Sequence, residues 1–159
     1  MTTPAPVPER PEDPQAAALY DAVATEHATI YGYGLVSAHA SPGLNSLVSE
    51  AMAEHRDQRE AAMALLDSMA VTPPLPAPGY RLPLEVDEPA QAAKLAIQME
   101  DDTAAAWRAV LEQATPGTPG DDARRLAVPA LTTSAVLGAR WKRVAKMWPV
   151  TQAFPGGAD

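Results

Sequence analysis

The segment from Val71 to Pro89, VTPPLPAPGYRLPLEVDEP, contains Pro73, Pro74, Pro76, Pro78, Pro83 and Pro89. A helix cannot persist through such a run, because each proline lacks a backbone donor and its ring crowds the preceding turn, so the backbone is extended and polyproline-like. At ~3.1 Å per residue the segment reaches close to ~60 Å. The periodic stretch before it, from about Leu44 to Ala70, is roughly 40 Å long as a helix at ~1.5 Å per residue. The proline segment is thus long enough to cross from one end of that helix to the other. The helix that follows it then begins where its predecessor began and runs parallel to it.

Four helical stretches surround this crossover. Asp13-Pro14 pairs an N-cap residue with proline at the first helical position and starts a helix that runs to about His39. Its apolar stripe is Leu19, Val23, Glu26, Ile30 and Tyr33/Gly34. After Ser41-Pro42-Gly43 the second helix shows Val48, Met52, His55, Arg59, Ala62, Leu66 and Met69 on one face, and the short connection makes the pair antiparallel. A third helix, with Asp87 as the expected N-cap, places Ala93, Ile97, Glu100, Ala104, Trp107 and Leu111 together and ends near Gln113. Thr115-Pro-Gly-Thr-Pro-Gly120 leads to a fourth helix, capped by Asp121 or Asp122 and ending near Met147, with Pro129 inside it and Leu126, Ala130, Ser134, Leu137, Trp141, Val144 and Trp148 on its face. The expected organisation is a disordered tail over 1–13, a bundle over 14–148 with its crossover at 71–89, and a C-terminal tail over 149–159. The fold class is all-α, two antiparallel helix pairs joined by a long proline-rich crossover, a connectivity that ferritin-like four-helix bundles share.

Composition narrows the function. A net charge of -8 disfavours nucleic acid and anionic membrane surfaces, which are gripped by clustered Lys and Arg. The basic segment 140–146, RWKRVAK, is read as a solvated last turn favoured by the helix dipole. Without cysteine there is no disulfide, thiolate ligand or cysteine nucleophile. The N-terminal residues show no basic and apolar leader pattern, and no apolar run approaches the ~20 residues that span a bilayer. The expectation is a cytoplasmic protein with no membrane association and no nucleic-acid partner. Phosphate loops, nucleophile elbows and His-Glu-x-x-His motifs are absent from the sequence, and Ser37, His39 and Ser41 lack the acid and oxyanion donors of a triad.

Three stripes carry polar groups where apolar ones belong: Glu26 on the first helix, His55 and Arg59 on the second, Glu100 on the third. An ionised carboxylate in a core costs several kcal/mol unless it is paired. Arg59 is the expected partner, its planar fork taking Glu26 or Glu100 bidentately or bridging the two, with His55 and the Tyr31 hydroxyl satisfying the remaining lone pairs. Removing Arg59 is then expected to cost about 3 to 5 kcal/mol. Exposure of the same groups at a groove, or a reduced metal site formed by Glu26, His55 and Glu100, are the alternatives. His27 is read as a structural histidine at the border of the stripe, and Trp107, Trp141 and Trp148 as packing residues. Leu75, Tyr80, Leu82 and Leu84 are expected to pin the crossover to the bundle as a strap, with recognition of Pro73-Pro-Leu-Pro76 by a groove-binding partner as the alternative.

TEHATIYGYG in the first helix, AEHRDQREA in the second, the crossover text TPPLPAPGYRLP, MEDDTAAAWRAVLE in the third helix and the closing AFPG together resemble a family of bacterial ferritin-like domains of unknown function, from Ala16 to Gly157. The resemblance implies a ferritin-like fold. Metal-binding ferritin-like proteins hold two ions with one Glu on each of two helices and a Glu-x-x-His on each of the others. By that resemblance Glu26 and Glu100 match the lone acids and His55 a ligand histidine. Met52 stands where its Glu partner would be, and the fourth helix offers no equivalent. The resemblance therefore implies a degenerate dimetal site and no metal cofactor. The expected function is non-enzymatic, exercised through a homodimer or a protein partner. The alternatives are an oxidoreductase binding iron or manganese, and a small-molecule binder with a cavity beside Trp107 and Trp141.

Overall fold

A computed structural model of the chain describes residues 7–157. Its elements are α1 (Pro14–His39), a short 3-10 turn (Pro42–Leu44), α2 (Asn45–Ser68), α3 (Pro89–Gln113) and α4 (Gly120–Val144), with no strand among the described residues. The protein is an all-α four-helix bundle. No helix among the described residues is long and apolar enough to cross a membrane.

The helix ends follow local chemistry. The Asp13 carboxylate accepts from the Ala16 amide at 2.9 Å, and Pro14 occupies the position where a donor is dispensable. At α3 the cap is Glu88 and not the expected Asp87. The Gln91 side chain turns back to accept from the Asp87 and Glu88 amides, at 2.7 and 3.1 Å, and so holds the residues ahead of the helix. At α4 the expected aspartate caps lie inside the first turn instead, after an N-cap at Pro119, where their charges face the positive end of the helix dipole. The α4 helix continues through Pro129.

Packing partners set the helix directions. Glu26 and Tyr33 of α1 meet Trp107 and Glu100 of α3, so α1 and α3 are antiparallel. One apolar cluster joins Tyr33, Val36, Leu47 and Val48 to Ala92, Ala96, Leu137 and Trp141, while a second joins Leu19, Val23, Ala62 and Leu66 to Trp107, Val110, Ala123 and Ala127. Thus α2 runs parallel to α3, and α1 to α4, across the two diagonals. The four neighbouring pairs are α1 with α2, α1 with α3, α3 with α4, and α2 with α4. Small residues let the helices approach: at Gly32 an added Cβ would collide with the Met99 sulfur. Alanines fill much of both clusters for the same reason.

The crossover from α2 to α3 spans the bundle without helix. Leu82 and Leu84 pack partly against the first cluster and Val86 is buried in it, whereas Leu75 is 66% exposed and pins nothing. Residues 1–6 of the expected disordered tail, and 158–159 of the C-terminal one, lie outside the described residues. The remainder of the N-terminal tail is fastened to α1, contrary to expectation. Tyr20 donates to the Pro8 carbonyl at 2.9 Å, and Arg10 forks onto Asp21 at 2.8 and 2.7 Å.

Replacing Asp13 by Ala removes the side-chain acceptor that caps the start of α1. The expected loss is about 1 kcal/mol, read as a lower urea midpoint at unchanged slope.

Candidate functional site

Between the two apolar clusters lies a layer of polar side chains. Glu26, His55, Glu100, Thr103 and Ser134 are at most 1% exposed, and Thr29 is 2% exposed. α1 supplies Glu26, α2 His55 and α3 Glu100, each projecting from the middle of its helix. The imidazole sits between the acids: Nδ1 lies 2.7 Å from Glu26 Oε2 and Nε2 lies 3.0 Å from Glu100 Oε1. Trp107 Nε1 donates to the second Glu26 oxygen at 2.7 Å. Tyr33 donates to Glu100 Oε1 at 2.5 Å and accepts from Trp141 Nε1 at 2.9 Å. The run Trp107, Glu26, His55, Glu100, Tyr33, Trp141 ties all four helices together. Beside it Thr29 and Thr103 pair at 3.0 Å.

The electrostatics follow from this arrangement. Burial pushes the His55 pKa down, but hydrogen bonds to Glu100 and Glu26, together with their charges, outweigh it and raise the value to about 10. His55 is therefore an imidazolium with both nitrogens donating. Burial first, then the charge and hydrogen bond of Glu100, hold the Tyr33 phenol well above its ordinary range, so it stays a donor. His27 differs: burial lowers its pKa against the opposing effect of a hydrogen bond to the Pro74 carbonyl, 3.1 Å from Nε2. It fastens the crossover to α1.

Three of the five residues expected in the polar network meet, and two do not. Arg59 lies at the bundle surface, where it bonds Glu60 at 3.0 and 2.7 Å. The inward position of that turn belongs to Gln58, 7% exposed, because α2 presents Ala51, His55, Gln58 and Ala62 to its neighbours and a guanidinium there would have to shed its water. Tyr31 is 45% exposed and its ring rests 5.2 Å from Tyr80 of the crossover. Tyr33 takes the role assigned to it. Seven residues from Glu26, Tyr33 falls almost on the same helical line, whereas Tyr31 is turned well away. Trp107 stands seven residues from Glu100 by the same rule. Trp107 and Trp141 are fully buried, while Trp148 is 74% exposed and is not a core residue. Gln58, Glu100 Oε2 and Ser134 Oγ have no hydrogen-bond partner among the described residues.

The residues fit a metal centre poorly. A ligand histidine needs a bare nitrogen, and both nitrogens of His55 already face carboxylate oxygens, at 2.7 and 3.0 Å. Among the described residues no group of three or more His, Cys, Asp or Glu side chains is arranged to hold an ion.

Residues 18–159 match the family model described as Domain of unknown function (DUF4439). The chain belongs to the DUF4439 family. A solved structure similar to this DUF4439 chain is that of a conserved hypothetical protein, rv2844, from Mycobacterium tuberculosis. The two share 49% identity at a TM-score of 0.78, over 84% of this chain and 98% of the other. No curated protein matches the chain.

Two predictions distinguish the buried cluster from the surface pair. His55→Ala leaves two buried acids without their cation and is expected to cost about 3 to 5 kcal/mol in urea unfolding. Arg59→Ala removes a surface pair and is expected to cost under ~1 kcal/mol. The pH dependence has a definite sign. The folded pKa of His55, about 10, lies above its unfolded value of 6.5, so the stabilisation is complete below that lower value and disappears as pH rises through the upper one. Thermal melts between these limits are expected to show a downward slope that His55→Gln flattens.

Proposed function

We propose that this chain is a non-enzymatic, ferritin-like helical domain in which an imidazolium held between two carboxylates occupies the place of a dimetal site, and that it acts by binding protein, as a homodimer or with a protein partner. The connectivity supports the ferritin-like reading: two antiparallel pairs, joined by a crossover that leaves α2 and α3 parallel. The observation that carries the functional reading is the engagement of both His55 nitrogens by Glu26 and Glu100. A centre of this kind lacks an open coordination position, a redox group and an accessible nucleophile. Exposure of Trp148 at 74% and Phe154 at 77% supports action through the exterior, since large aromatic side chains left in water gain most from burial against another protein.

Metal content decides the first half of the proposal. Untagged protein from cells grown with iron, manganese and zinc is expected to contain well under one ion per chain by inductively coupled plasma mass spectrometry; roughly one or two ions per chain would overturn it. Size-exclusion chromatography with light scattering addresses the second half. A dimer, or a stoichiometric co-purifying protein, is expected, and a strict monomer without companions would remove the interaction role.

A further inference from the structure

The outer side of α4 carries a second apolar surface that the bundle does not use. Thr132, Val136, Ala139 and Arg143 recur at spacings that place them on one helical row, and Val136 is 53% exposed. The chain after Trp148 turns back over this row and over α3. Gly156, at φ 75°, permits the return: a Cβ there would lie 2.5 Å from the Ala104 carbonyl oxygen, and the positive φ itself disfavours other residues.

Between this returning segment and the helices lies a cavity of about 540 Å³. That volume falls within the range of roughly 300–1,000 Å³ usual for small-molecule sites. Leu131, Ala135, Val136, Ala139, Val150 and Pro155 give it an apolar interior. Four charged side chains reach it: Asp101, Arg140, Lys142 and Arg143. Arg140 is bound to Glu50 at 2.7 Å, and Lys142 to Asp101 at 3.3 Å. The Arg143 guanidinium has no ion-pair or hydrogen-bond partner among the described residues, which leaves one uncompensated cation at an apolar cavity in a chain of net charge -8.

We propose that this cavity binds a small amphiphile with one anionic head, of the medium-chain carboxylate class. The hydrocarbon lies among Leu131, Ala135, Val136 and Val150, and the carboxylate meets Arg143. Both parts of the ligand find a complement here. Removing the hydrocarbon from water supplies the driving force, and the guanidinium forms a two-point contact with a carboxylate. A cationic amphiphile would face Arg140, Lys142 and Arg143 together. A neutral one would leave the Arg143 charge without a partner. The site is on the exterior and goes beyond the function proposed above, being independent of the His55 cluster.

The test uses the full chain and decanoate, with decan-1-ol and decyltrimethylammonium as comparisons, followed by calorimetry and by amide chemical shifts. Decanoate is expected to bind saturably, with shifts confined to the outer row of α4 and to residues 150–156. Arg143→Gln is expected to weaken decanoate about tenfold and to leave decan-1-ol unchanged. Ala135→Trp fills the cavity and is expected to abolish both. Because the Arg143 side chain is on the surface, its replacement leaves the fold intact whatever the tryptophan variant does. Absence of saturable decanoate binding, equal binding of the three compounds, indifference to Arg143→Gln, or shifts located elsewhere would each overturn the proposal. None of these outcomes bears on metal content or on oligomeric state.

Discussion

The bundle depends on one cation placed between two buried acids. A carboxylate in a low-dielectric interior is tolerated only with its lone pairs and charge answered, and His55 answers Glu26 and Glu100 at once from a third helix. The geometry is demanding. An imidazole presents its two donors in fixed, diverging directions, so the acids must approach from opposite sides at matched heights. Sliding α1 or α3 by one turn would strand a carboxylate in an apolar cluster. The polar layer therefore fixes the register of three helices, while the indoles of Trp107 and Trp141 extend the constraint to the tops of both clusters and, through Tyr33, to the fourth helix. Such a layer contributes uniqueness of structure more than net stability, since a well-packed apolar layer of equal volume would be at least as stable.

The rest of the architecture accommodates that layer. Alanine and glycine at the contacts bring the helices close enough for short side chains such as Thr29 and Thr103 to touch across α1 and α3. The crossover then has to travel the length of the bundle, and proline makes the extended form cheap in entropy because little freedom remains to be lost. His27 contributes from the back of α1 by holding the Pro74 carbonyl. Neighbouring residues Glu26 and His27, about 100° apart around one helix, thus serve different partners, the first the charge cluster and the second the crossover.

The proposed function gives the interior and the exterior of the chain separate roles. The centre, where bundles of this connectivity accommodate chemistry, is closed by its own hydrogen bonds. The two proposals draw on the surface: the exposed aromatics near the C-terminus, and the apolar row of α4 beneath the returning segment. The basic residues around that row are not equivalent. Two are neutralised by neighbouring acids, whereas Arg143, which lines the cavity, is not, a distinction that the run RWKRVAK does not disclose.

Much of the fold was legible in the sequence because its causes are local. Proline forbids helix wherever it recurs, Asp13-Pro14 starts one, and periodicity at the helical repeat brings Glu26, His55 and Glu100 to inward faces without reference to any neighbour. The cap of α3 falls at Glu88, one residue beyond the locally favoured Asp87, because the reciprocal capping box is formed between Glu88 and Gln91. Which polar groups meet was decided by tertiary structure. Periodicity specifies an angle about a helix's own axis; it does not specify the rotation of that helix against its neighbours, and on α2 that rotation turns Gln58 inward and leaves Arg59 partly exposed beside Glu60. The same holds for the cavity under the C-terminal segment, whose walls come from α3, α4 and residues 150–156. Local sequence determined the elements and their polar interruptions. Only the packing of four helices, by fixing relative rotation and height, decided that a histidine and not an arginine would hold the two acids together.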